Sequence, residues 1–186
     1  YKTSGFFAAK TNKPLTSIMR DCVATGVHGP DSAGHFWDNQ SLGVWTFEDC
    51  VAHNIEANGL RVWQNTSLVH PIDRFTAYSC ATGISHGAYA NPYKYHGVTV
   101  HDCGTGLHVT AVSGGEGGNA MEFHDVGVTG CDTDLVIEDA PVDAAQPTDF
   151  RRCQLDSVVV NASHADSTKH WDFAERELTP VFWTTS

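Results

Sequence analysis

The chain has 186 residues, 41% hydrophobic content and 22 acidic against 11 basic groups, a net charge of -11. That length suits one domain with a continuous core. The acidic excess argues against a sequence-independent nucleic-acid binder, which needs basic groups to displace phosphate counterions, and no stretch approaches the roughly 18 apolar residues of a membrane span.

Residues 1–14 contain Phe6 and Phe7 and are expected to cap the end of whatever follows. They show neither a basic n-region nor an apolar h-region, and a chain beginning at Tyr1 reads as a processed form or an excised piece. From Ile18 onward six stretches align on a cysteine or small apolar anchor. They are Ile18 to Cys22, Thr46 to Cys50, Thr76 to Cys80, Thr99 to Cys103, Glu122 to Val126 and Asp149 to Cys153, with anchors 28, 30, 23, 23 and 27 residues apart. Self-similarity at that period indicates a solenoid. Apolar residues alternate before the anchors, as in Phe75 and Ala77, Val98 and Val100, Met121 and Phe123. The residues between them, Thr46, Glu48, Thr76, Tyr78, Thr99, His101, Glu122 and His124, are therefore expected to face solvent.

After each anchor a second apolar strand follows: Gly26-Val27, Gly59 to Val62, Gly83-Ile84, Gly106 to Val109, Asp134 to Ile137 and Ser157 to Val160. Its glycines suit a bend, because glycine accepts positive φ without steric cost. Segments 29–43, 64–71, 86–95, 110–119 and 138–147 vary in length and hold much of the Pro, Gly and Asn. Interrupting every turn at one point, they should form a wall of long loops along one edge. Residues 161–186 are expected to cap the far end, with a short helix over 167–178.

These phrases resemble the right-handed parallel β-helix proteins, many of them secreted and acting on polysaccharides. Ala52-His-Asn, Gly59-Leu60-Arg-Val-Trp-Gln-Asn65 and Gly83-Ile-Ser-His-Gly-Ala-Tyr89 are also similar in style to the β-helical parts of hyaluronidase-like and fibrocystin-like surface proteins. The resemblance spans residues 15–160. It implies an all-β, right-handed parallel β-helix of about six rungs, alone or as a fragment of a longer solenoid, at the cell surface or outside the cell. The paired-aspartate and Gly-His-Gly signatures of polygalacturonases are absent, as is a pectate lyase calcium and arginine pattern.

Cys22, Cys50, Cys80, Cys103 and Cys153 share the anchor position, while Cys131 falls outside it. Anchors on adjacent turns lie about 4.8 Å apart. A reduced stack of small apolar fillers is expected, with disulfides or a metal site as alternatives.

The outward positions predict one polar stripe holding Tyr78, His101, His124, Glu122, Asp149 and Arg151. There a histidine would be the base, Tyr78 the acid and Arg151 the electrostatic partner of an elimination, or Glu122 and Asp149 a hydrolytic carboxylate pair. The blander reading is a solvated strand face whose cross-strand pairs tune stability slightly. Tyr89, Tyr93 and Tyr95, with Lys94, form a candidate rim on which sugars stack, and Glu48 extends the binding surface. A second ladder, Asp21, Asp49, Ser79, Asp102 and Asp125, suits Asx turns, or calcium between Asp102 and Asp125. His101 and His124, on adjacent turns in this register, are also close enough to share a zinc or copper ion. The expected function is an extracellular module that binds polysaccharide or serves as a structural solenoid. The alternatives are a polysaccharide lyase or hydrolase, and a subunit that associates end to end.

Overall fold

The computed structural model describes residues 4–8, 14–37, 43–63, 68–87, 93–110, 121–138, 148–161, 171–174 and 177–178. Among them there is no helix, and the strands form three parallel sheets, each seven strands deep. The chain visits the sheets in strict rotation, so the fold is a parallel β-solenoid with three strands to each turn.

Sheet A stacks Ser4–Ala8, Ala33–Trp37, Asn58–Val62, Thr82–His86, Thr105–Thr110, Thr133–Glu138 and Val158–Asn161. Sheet B stacks Thr16–Arg20, Val44–Glu48, His70–Asp73, Tyr93–His96, Glu122–His124, Thr148–Arg151 and Trp171–Ala174. Sheet C stacks Val23–Thr25, Val51–His53, Thr76–Tyr78, Thr99–His101, Gly127–Thr129, Gln154–Leu155 and Glu177–Leu178. Alternation decides which side chains point inward. The core columns run through Leu60, Ile84, Leu107 and Leu135 on sheet A, Phe47, Ile72, Tyr95, Phe123 and Phe150 on sheet B, and Ala52, Ala77, Val100 and Val128 on sheet C.

This corrects the two-strand turn. Of the segments read as loops, 29–43 contains the strand Ala33–Trp37, and 64–71 and 86–95 run into the strands His70–Asp73 and Tyr93–His96. The expected N-terminal cap contains the first strand of sheet A, the strand placed at Gly26-Val27 lies at Ala33–Trp37, and Trp171–Ala174 is strand where a helix was expected. Residues 38–42, 64–67, 88–92, 111–120 and 139–147 lie outside the described structure.

Two corners of each turn are made by a residue with left-handed backbone. Between sheets B and C these are Asp21, Asp49, Arg74, Gly97, Asp125 and Arg152, with φ between 50° and 63°; after sheet C they are Gly26, Asn54, Ser79, Asp102 and Gly130, with φ between 52° and 66°. Gly, Asn and Asp tolerate this region best, so the predicted acidic ladder is a consequence of corner geometry and splits into two columns. The anchors split in the same way. Cys22, Cys50, Phe75, Val98, Val126 and Cys153 follow sheet B, while Cys80, Cys103 and Cys131 follow sheet C, which gives Cys131 a place in a ladder. All six cysteines are free thiols. Each donates to the carbonyl two residues earlier, at 3.3 Å in Cys22, 3.4 Å in Cys103 and 3.7 Å in Cys131, so the thiol supplies a weak donor at a corner where the chain leaves its sheet.

The glycines that open sheet A have a different purpose from the one expected. Gly59, Gly83 and Gly106 do not have positive φ. A Cβ on Gly59 would lie 2.6 Å from the carbonyl oxygen of Gly83 and 2.9 Å from the Ala77 Cβ. Their lack of a side chain lets sheets A and C approach closely at this corner. Asp134 ends the column, buried, with its Oδ2 accepting from the N–H groups of Asp156 (2.5 Å) and Ser157 (3.2 Å). Burial pushes its carboxyl up against the opposing effect of those donors.

Candidate functional site

The small inward residues Ala24, Ala52, Ala77, Val100 and Val128 fix the register of sheet C and turn Thr25, His53, Tyr78, His101 and Thr129 outward in one column. The rings of His53, Tyr78 and His101 stack face to face, with centroids 4.8 and 4.9 Å apart and planes inclined by 2° and 5°. Such parallel stacking covers the faces of the rings and leaves their edges to solvent.

Those edges carry polar atoms of defined sense. The Asn54 amide nitrogen, 3.1 Å from Nδ1 of His53, can only donate, so Nδ1 accepts and Nε2 carries the proton of the neutral ring. Thr25 Oγ1 lies 3.3 Å from the same Nδ1. His101 has the opposite tautomer. Its Nδ1 donates to Asp102 Oδ2 at 2.9 Å, leaving Nε2 as the acceptor of the neutral ring. The column thus offers a donor, a phenol that can do either, and an acceptor. Thr76 and Thr99 stand in the parallel outward column.

The other predicted residues fall elsewhere. Tyr78 and His101 are together on sheet C, but Glu122, His124, Asp149 and Arg151 belong to sheet B, where His124 is opposite His96 and Arg151, and Glu122 is opposite Asp149. The six do not share a face, and His101 and His124 are not register neighbours. Glu122 is held by Lys94 at 3.1 Å, with His124 at 4.0 Å. Glu48 lies between Arg20 (2.6 Å) and Arg74 (2.8 Å), whose hydrogen bonds keep its carboxyl below the ordinary range.

Tyr93 and Tyr95 point into the core, both buried, and cannot serve as a rim. Tyr95 Oη is 2.7 Å from His86 Nδ1. Tyr89 lies outside the described residues. Asp102 and Asp125 occupy different corners. Asp125 is bound by Arg152 at 2.5 and 2.7 Å and faces His96 Nε2 at 3.2 Å, an environment that holds its carboxyl down at about 2, chiefly through the Arg152 hydrogen bonds. The two are therefore not neighbours in one column, and among the described residues no three His, Cys, Asp or Glu side chains converge on a metal position.

Comparison with known proteins finds no matching family model, curated protein or solved structure. The chemistry of the site rests on its own geometry, in which the sheet B face is largely self-neutralised by ion pairs while the sheet C face keeps hydrogen-bonding edges turned to solvent. His53 and Trp63 escaped the sequence reading. The signal for His53 was present in Val51-Ala-His53, whose alternation matches Thr76-Ala-Tyr78, but a two-strand turn left no place for it.

Proposed function

We propose that this solenoid is an extracellular or cell-surface module that binds a polysaccharide lengthwise along sheet C. The observation behind this reading is the half-buried, outward-facing column His53, Tyr78 and His101, whose ring spacing of 4.8 and 4.9 Å repeats hydrogen-bonding edges along the axis at close to the length of a sugar unit. Sugar hydroxyls both donate and accept, which suits a column that alternates the two roles. Rings already stacked on one another need no ordering on binding, so little conformational entropy is lost. The net charge of -11 favours a neutral chain over a polyanion on this face.

The test is retention on a panel of insoluble neutral glycans. Tyr78→Ala should weaken retention by about tenfold, on the scale of one lost hydrogen bond and its ring contacts, with the folded state unchanged by circular dichroism. Retention equal to wild type would remove sheet C as the binding face.

A second reading, catalysis at the same column, is favoured by one feature. Asp102 orients His101 so that Nε2 can take a proton, beside a Tyr78 hydroxyl able to give one. An eliminase would generate unsaturated products absorbing in the ultraviolet, and a hydrolase new reducing ends. Saturable binding without either product favours the module.

A further inference from the structure

On the outer side of sheet A, away from the column just described, Arg61 lies between the rings of Phe36, which is buried there, and Trp63, which is not. Phe7, Phe36, Arg61 and Ser85 follow one another in register, and Trp63 comes just after Arg61's strand, two residues along on the same face. The indole rests on Gly87: a Cβ there would come within 2.6 Å of its Cζ3, so only glycine allows the ring to lie on the neighbouring turn. Trp63 nonetheless remains 42% exposed. It is a large ring seated on backbone with apolar surface open to solvent.

Arg61 is placed beside it. Its guanidinium carbon lies 5.7 Å from the Phe36 ring centroid and 5.7 Å from that of Trp63, with the side chain 18% exposed. Two rings hold this cation in place, yet its only charged partner among the described residues is Asp31, at 3.5 Å and itself 67% exposed. Among those residues its N–H groups make no hydrogen bond. A guanidinium has five donors in a planar fork suited to a carboxylate. A pre-positioned cation over an exposed indole, its donors making no hydrogen bond to the described residues, fits a sugar ring that is apolar on one face and carries an anionic group. A membrane surface fits poorly, since attachment to anionic lipid takes several basic groups and this chain is acidic overall.

We propose that Trp63 and Arg61 form a second carbohydrate subsite, specific for a sugar bearing a carboxylate. The pyranose C–H face packs on the indole, and the carboxylate displaces Asp31 from Arg61. This subsite rests on the reading of the chain as a polysaccharide-binding module but uses a different face, so an acidic residue or branch on a mainly neutral polymer would meet it.

The experiment is calorimetric titration with a galacturonate trimer and with the same trimer methyl-esterified, which keeps the ring and removes the charge. Wild type should bind the acid about tenfold more tightly than the ester, as expected for a charge-assisted pair. Arg61→Gln should abolish that preference while leaving ester binding in place, Arg61→Lys should restore part of it, and Trp63→Ala should weaken both ligands. Equal affinity for acid and ester, no binding of either, or a preference that survives Arg61→Gln would overturn the subsite. Tyr78→Ala separates the two proposals. If it abolishes neutral-polymer retention while acid and ester bind alike, only the subsite fails; if it changes nothing while the Trp63 and Arg61 effects hold, only the sheet C reading fails.

Discussion

Three histidines, His35, His70 and His86, are wholly inside the solenoid, where sequence alone gave no reason to separate them from the eight others. His35 is stacked on Phe6 at 5.0 Å, with Nε2 3.1 Å from the carbonyl of Val51. His70 accepts the Trp45 N–H at 3.2 Å and meets the Trp37 ring edge-on at 4.1 Å. Burial pushes both imidazoles down to about 4, at His35 against the smaller opposing effect of the Val51 carbonyl. In the unfolded chain the same rings titrate near 6.5. Between pH 6.5 and 4 the unfolded state therefore binds more protons, so stability is greatest above pH 6.5 and falls as pH drops through this window. The full loss is on the order of 3 kcal/mol for each ring. The Asp125 carboxylate, held at about 2, loses its contribution only at lower pH, and Asp134, raised by burial, acts in the opposite direction. Urea midpoints measured from pH 7.5 to 4.5 should fall steeply below 6.5. A flat profile would mean that these rings are not buried as neutral imidazoles.

At the scale of the strand and its corner, the glycines provide a paired comparison. Gly83→Ala would push a Cβ to 2.7 Å from the Gly106 carbonyl oxygen and into the Val100 side chain. Neither can retreat without moving a turn, so a loss of about 1–3 kcal/mol is expected. Gly127 faces open space and has no positive φ. Gly127→Ala should be neutral or stabilising by up to about 1 kcal/mol, through reduced freedom of the unfolded chain. Thermal melts of the two variants decide the matter, and equal effects would deny the close approach of sheets A and C. These corners also explain how far the sequence could be read. Alternation correctly gave inward and outward residues such as Val100 and His101, and the period gave a parallel solenoid. It could not distinguish Phe47-Glu-Asp-Cys50 from Ala77-Tyr-Ser-Cys80, because both corners need the same pattern of inward residue, outward residue, left-handed residue and small filler. Aligning them merged sheets B and C, which joined Tyr78 and His101 to His124 and Arg151 on a face that does not exist. Tyr93 and Tyr95 were misplaced for a related reason: alternation with Lys94 and His96 marks a strand, but tyrosine's hydroxyl suggested a surface.

Over the whole molecule the energetics are those of a one-dimensional stack, in which a turn touches only the turn before and the turn after. Interior strands are hydrogen-bonded on both sides, whereas Ser4–Ala8, Thr16–Arg20 and Val23–Thr25 each have one neighbour in their sheet among the described residues. The first turn also leaves Phe7, Leu15, Ile18 and Val23 exposed by 46, 57, 53 and 56%, so it gains less from burial than the middle of the coil. There the aromatic stack of Tyr95, Phe123 and Phe150, with centroids 4.4 and 4.8 Å apart, runs beside the Ile84, Leu107 and Leu135 column. Native-state hydrogen exchange should therefore be slowest in Thr105–Thr110 and Thr133–Glu138 and fastest in the first turn. Leu107→Ala, which opens a cavity at the centre of the stack, should cost about 2–5 kcal/mol. Its lost protection should be concentrated in the strands of Ile84 and Leu135, with Phe7 and its neighbours changed least. Protection falling equally in every strand would show that the stack unfolds as one indivisible unit, and coupling between adjacent turns would then have to exceed the stability of any single turn by a wide margin.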